Sequence, residues 1–166
     1  MGSGDPSGRR PGPRAPVVSD TSPLIALERI DRLDLLGAVF AQVLVPSAVI
    51  REFGAGLEHA WVVRRDPTSL LALQGLGATL GSGEGEAIAL AAEGGVGQIV
   101  IDDGPARRVA ATLGLRVIGT AGVVLIAKQL DLLPSVRAVL ESLSATGVRH
   151  RKDVVEHVLD QAGESR

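Results

Sequence analysis

Short apolar runs alternate with longer stretches of helical spacing along most of the chain. The first run, V-V-S-D ending at Asp20, is β-branched and closed by an acid, and Thr21-Ser22-Pro23 then offers a hydroxyl cap and a first-turn proline for a helix. Leu24, Ile25, Leu27, Ile30, Leu33 and Leu36 recur at helical spacing, which predicts two short helices broken near Asp31 and stopped by Gly37. Residues 42–45 (Q-V-L-V) predict a second buried strand, and Pro46 opens a helix, P-S-A-V-I-R-E-F, ending at Gly54 and Gly56. A short extended piece is expected over 61–65 and a helical turn over 69–74. Ser82 is the candidate cap of an alanine-rich, largely buried helix over 83–93. Residues 99–101 are the clearest strand, an apolar run bounded by Gly97 and by Asp102-Asp103. A helix over 106–113, a strand over 115–118 and helices over 121–132, 134–145 and 153–161 complete the pattern.

Strands alternating with helices predict right-handed crossovers and a parallel sheet covered on both faces. The fold class is therefore α/β, a three-layer α/β/α sandwich with a central parallel sheet, in one domain over 17–163. Residues 1–16 hold four Gly, four Pro and three Arg, too little apolar surface to order themselves, and read as a disordered tail.

Composition narrows the chemistry. With 2% aromatics and no Tyr, the core is aliphatic and base stacking on aromatic platforms is excluded as a main mode of nucleic-acid recognition. The absence of Cys removes disulfides, thiolate metal sites and Cys nucleophiles, and three His leave little for a zinc enzyme. A net charge of -2 argues against a general electrostatic DNA binder. No apolar run has the length to span a bilayer and no signal-peptide stretch opens the chain, so a soluble, cytoplasmic protein without membrane contact is expected.

In an open parallel sheet the ligand crevice lies beyond the carboxyl ends of the strands, and the residues there are acidic. Asp20 follows the first strand, Asp102 and Asp103 follow the clearest one, and Thr120 follows the next. V-S-D-T-S-P has no Gly, which excludes a phosphate cradle after the first strand. Converging carboxylates become tolerable around a divalent cation, and an all-oxygen donor set suits Mg²⁺ or Mn²⁺ and points to phosphodiester chemistry. Each acid also has an ordinary structural reading. Asp20 and the Asp102-Asp103 pair stand where helix caps stand, and Glu84 and Glu86 fall in a first turn, where the macrodipole favours acids. Glu52 lies near a helix C-terminus, against that preference, and calls for a compensating cation: Arg51, Arg64 or a metal. Arg64-Arg65, Arg107-Arg108 and Arg149-His150-Arg151-Lys152 are the basic clusters that could meet RNA. Arg107, one turn past the acids, is placed to clamp phosphate or to pair with Asp103.

Five blocks carry a family resemblance: V-S-D-T-S-P-L-I, V-P-S-A-V-I-R-E-F, G-E-G-E-A-I-A-L-A, I-V-I-D-D-G-P-A-R and V-I-G-T-A-G-V-V-L-I-A-K. In this order, over residues 17–163, they resemble a PIN domain and are most similar to its VapC-like branch. The resemblance implies a PIN-like sandwich and a metal-dependent endoribonuclease, the toxin of a toxin–antitoxin pair, often a homodimer held inactive by a small antitoxin protein. By position, Asp20, Glu52 and Glu86 match the acids of the first three blocks, and Asp102 or Asp103 that of the fourth. The commoner pattern reads Thr-x-Asp after that strand, whereas this chain reads Ile101-Asp102-Asp103-Gly104. The implied assignment has Asp20, Glu86 and Asp102 or Asp103 holding Mg²⁺ or Mn²⁺. Glu52 completes the catalytic acids, and Thr120 and Arg107 contact substrate. The alternative is a catalytically weak module that binds nucleic acid or protein on the same fold. Receiver and haloacid-phosphatase patterns fail: the acidic pair follows a later strand, and Ser22 occupies the place of the phosphatases' second Asp. The apolar helix over 121–132 also suggests a homodimer surface.

Overall fold

The computed structural model describes residues 14–69, 74–75 and 80–165. Its elements are β1 (Val17–Ser19), α1 (Thr21–Glu28), α2 (Asp34–Val39), β2 (Val43–Val45), α3 (Ser47–Phe53), β3 (Val62–Arg64), α4 (Ser82–Glu93), β4 (Gln98–Val100), α5 (Gly104–Thr112), β5 (Arg116–Ile118), α6 (Thr120–Gln129), α7 (Val136–Ala145) and α8 (Lys152–Gln161). The five strands form one sheet in the order β3-β2-β1-β4-β5, every pair parallel.

The apolar runs read as strands because both faces of the sheet are covered. Val17 and Val43 point into a core shared with α1, α2, α6, α7 and α8. Val18, Leu44 and Ile99 point the other way, onto Ile88, Leu90 and Ala91 of α4 and Ala106 and Ala110 of α5. Adjacent residues of one strand thus anchor opposite layers, with Val18 in register with Leu44 on one side and Ile99 on the other. Strand order reverses between β1 and β4, and this switch point is where the two strand ends carrying Asp20 and Asp102 lie side by side. Asp20 donates its amide to the carbonyl of Val100 (3.0 Å), and Ile101 donates to that of Ile118 (2.9 Å), so hydrogen bonding continues past the strands.

Three expectations are corrected. Gly37 does not stop a helix but lies inside α2, where a Cβ would fall 2.4 Å from the Trp61 ring. Glycine is there for close approach, and the ring, stacked on His59 at 4.9 Å, packs on its backbone. The helix over 121–132 is shorter, ending at Gln129, and the one over 134–145 begins at Val136 behind a Ser135 cap. In α6, Val123, Val124 and Ala127 are buried in the core that α2, α7 and α8 complete, while Leu125 and Ile126 are only partly buried. The expected turn over 69–74 falls mostly outside the described residues. No helix among the described residues is long and apolar enough to cross a membrane.

Helix propensity favours Ala over Gly by about 1 kcal/mol, but overpacking against a held ring costs about 1–3 kcal/mol. Gly37→Ala should therefore lower the thermal unfolding midpoint, and Trp61→Ala introduced with it should remove the clash part of the loss. A Gly37→Ala protein more stable than wild type would contradict this packing.

Candidate active site

Asp20 is 1% exposed and its Oδ1 finds no hydrogen-bond partner among the described residues. It stands at the N-cap of α1 yet accepts no capping hydrogen bond through its side chain. Asp103 behaves as a cap in the ordinary sense, its Oδ2 accepting from the Ala106 amide at 2.9 Å. Burial is the largest influence on the Asp20 carboxyl. The charges of Glu84 and Glu52 add to it, the amides of Thr21 and Ser22 oppose it, and the group is pushed up to about 6.

Glu52 faces the same crevice from the end of α3. One carboxylate oxygen accepts from the Thr21 hydroxyl (2.7 Å), the other from the Gly83 amide (3.1 Å) and the Ser82 hydroxyl (3.3 Å). Its position at a helix C-terminus is thus compensated by the N-terminus of α4, whose free amides favour an anion, and not by Arg51 or Arg64. Gly83 makes this possible: a Cβ there would lie 2.6 Å from Glu52 Oε2.

The remaining acids take different directions. Glu86 accepts from the Ala48 amide at 3.1 Å and so caps α3. Glu84, weighed from sequence only as a first-turn acid, accepts from the Gly81 amide at 3.1 Å and is the carboxylate whose charge weighs most on Asp20. Asp102 is clasped by one residue, its Oδ1 accepting from the Thr120 amide (2.8 Å) and its Oδ2 from the Thr120 hydroxyl (2.5 Å). Thr120 is fully buried, so its hydroxyl positions Asp102 instead of facing a substrate. Arg107 does not pair with Asp103; its guanidinium donates to the Ile101 carbonyl at 2.8 Å. Gly119 leaves room for this, since a Cβ there would sit 3.0 Å from Arg107 Nη1 and 3.2 Å from Asp102 Oδ1.

Among the described residues no three Asp, Glu or His side chains stand ready to hold a metal ion. The donor chemistry nevertheless fits a hard cation, because Asp20 offers an unpartnered oxygen with Glu84 and Glu52 repelling it. Mg²⁺ takes only one or two carboxylates and keeps several waters, so it does not require a closed cage of side chains. Asp20, through its free oxygen and in the field of Glu84 and Glu52, is the residue that would hold such an ion. The signal for Glu84 lay in G-E-G-E: Gly83 lets α4 approach Glu52, but which acid's charge acts on Asp20 depends on where the helix begins.

A doubly wound parallel sheet with acids gathered at its switch point defines an α/β protein with an oxygen-donor site. The sequence profile of DUF3368, a PIN domain, matches residues 16–164, and the chain belongs to the PIN-domain family. PIN domains are generally nucleases, and the fold here is a nuclease fold. Neither any curated protein nor any solved structure matches the chain.

The raised carboxyl fixes the sign of a pH effect. The native state holds the Asp20 proton more tightly than the unfolded chain does. The stability this gives is present below the ordinary value of 3.8 and lost as pH rises to and through about 6. In EDTA, Asp20→Asn should therefore be more stable than wild type at pH 7.5, by about 1–3 kcal/mol, with the difference gone near pH 4. Chemical unfolding at the two pH values checks this, and a difference independent of pH would contradict it.

Proposed function

We propose that the protein is a metal-dependent endoribonuclease that hydrolyses RNA phosphodiester bonds. Its particular role is that of the toxin in a type II toxin–antitoxin pair. The observation that supports the catalytic part is the buried, unpartnered Asp20 oxygen at the switch point, on which the charges of Glu84 and Glu52 act. The toxin role, with an antitoxin and a homodimer as partners, rests on the likeness to the VapC-like branch.

A bound Mg²⁺ or Mn²⁺ would neutralise charge on the phosphate and lower the pKa of an attacking water. The chain's own residues prepare the place for it. Asp20 supplies the free carboxylate oxygen at the sheet edge, and Glu52, fixed by Thr21 and Gly83, holds a second carboxylate at the mouth. Thr120 keeps Asp102 from turning away, leaving its charge at the neighbouring strand end. Arg107, anchored on the Ile101 carbonyl, supplies a positive charge for a phosphate beside the Asp102 strand end. One observation favours the second reading, a binding module without hydrolysis: Glu86 and Asp103 both cap helices, which leaves fewer acids for a metal.

Cleavage of a mixed pool of structured and single-stranded RNA separates the two. With Mn²⁺ or Mg²⁺ the wild-type chain should cut and with EDTA it should not, and Asp20→Asn should lose roughly a hundredfold or more. Glu84→Gln should cost more activity than Glu86→Gln. A folded, metal-loaded chain that cuts nothing would overturn the nuclease reading.

A further inference from the structure

Helices α7 and α8 and the segment joining them frame a cavity of about 540 Å³ that none of the acids of the candidate site lines. That volume is within the usual range of small-molecule pockets, about 300–1,000 Å³. Its apolar surface comes from Val148 and Val155, which are partly buried and packed on the core, while Leu140 and Leu159 belong to the core itself and close the cavity from below. The charged groups on its walls are Arg137, Arg149 and Glu141.

Arg137 is half-buried, and its Nη2 donates to the Glu164 carbonyl at 2.7 Å. A neutral carbonyl holds the guanidinium in place without cancelling its charge, and Arg137 forms no ion pair with a carboxylate among the described residues. Arg149 and Glu141 are exposed and equally unpaired among those residues. Two arginines against one glutamate leave this cavity net positive in a chain of net charge -2. His150 also lines it, and its Nε2 is buried without a hydrogen-bond partner among the described residues. A buried nitrogen in that state is unfavourable until another polar group reaches it.

We propose that this cavity binds a small organic anion, a carboxylate or a phosphate monoester carried on a short aliphatic chain. Arg137 and Arg149 take the head group, and the chain lies on Val148 and Val155. Uncompensated arginines select the anion, since a guanidinium meets carboxylate and phosphate with paired, charge-assisted hydrogen bonds. The aliphatic base, with no aromatic side chain among the described residues that line it, selects a flexible chain over a ring that would stack. Arg137 is fixed before the ligand arrives, so little of its freedom is lost on binding. The site is independent of the nuclease reading, although Val148, Arg149 and His150 also line the groove beside β5 that includes Asp102.

The test is titration of the full chain, in EDTA, with octanoate below its micelle concentration, followed by amide-proton NMR. Saturable shifts are expected over residues 137–155 and not at Asp20. Octyl phosphate tests the other head group, and octanol, the same chain without charge, should bind at least about tenfold more weakly than octanoate. Arg137→Gln/Arg149→Gln should weaken octanoate binding about tenfold or more, whereas Arg29→Gln/Arg65→Gln, away from the cavity, should stay within about twofold of wild type. Circular dichroism checks folding. If the arginine variant fails to fold, Ser144→Trp, which fills the cavity from an exposed position on α7, should abolish binding. Binding of neither anion by the folded chain, octanol binding as tightly as octanoate, wild-type affinity in the cavity variants, an equal loss in the control, or shifts confined to other regions would each overturn the proposal.

Discussion

A carboxyl group buried at the end of a central strand with one oxygen unpartnered is the constraint around which this molecule is arranged. Burying an ionised group costs several kcal/mol unless a counter-charge or hydrogen bonds offset it. Asp20 is held there because β1 is the middle strand of five, paired on both sides, and its amide is tied to Val100. The backbone therefore cannot move to bring the side chain into water. Around it the chain supplies two further negative charges and no lysine or arginine partner among the described residues. Such an arrangement is unfavourable by itself and becomes favourable when a divalent cation binds, which is how a site can be destabilising to the fold and necessary to function.

The neighbouring acids are made stiff by their own partners. Glu52 is shared between a threonine hydroxyl and a helix N-terminus, and Asp102 is gripped twice by Thr120. In both cases glycine is the enabling residue, since Gly83 and Gly119 leave the space these carboxylates fill. Local sequence thus sets distances at the site through what is missing as much as through what is present. Beside β5, the groove lined by Arg107, Arg116, Arg149 and Arg151 includes Asp102.

The parallel sheet was legible because its strands are short, continuous apolar runs punctuated by Gly, Pro and Asp, and a strand buried on both faces needs no polar alternation. Strand-end acids were legible for the same reason: the period of the pattern puts Asp20 and Asp102 past the last apolar residue. What sequence could not reveal depends on contacts distant along the chain. Gly37 reads as a helix stop until Trp61 is seen lying on it. Glu86 and Glu84 are two residues apart and lie on different sides of α4, so a helix start placed one residue off changes which acid caps α3 and which bonds the Gly81 amide. Thr120 and Arg107 read as substrate contacts, yet their partners, Asp102 and the Ile101 carbonyl, are fixed by tertiary approach of β4 and β5.

Asp20 is a buried carboxyl whose free oxygen suits a divalent cation. The most direct measurement is its titration by carbon-detected NMR of the side-chain carboxyl, in metal-free buffer and again with Mg²⁺. A midpoint near 6 without metal and a clear fall when Mg²⁺ is added are expected. A midpoint at the ordinary 3.8, or one that Mg²⁺ leaves unmoved, would contradict it.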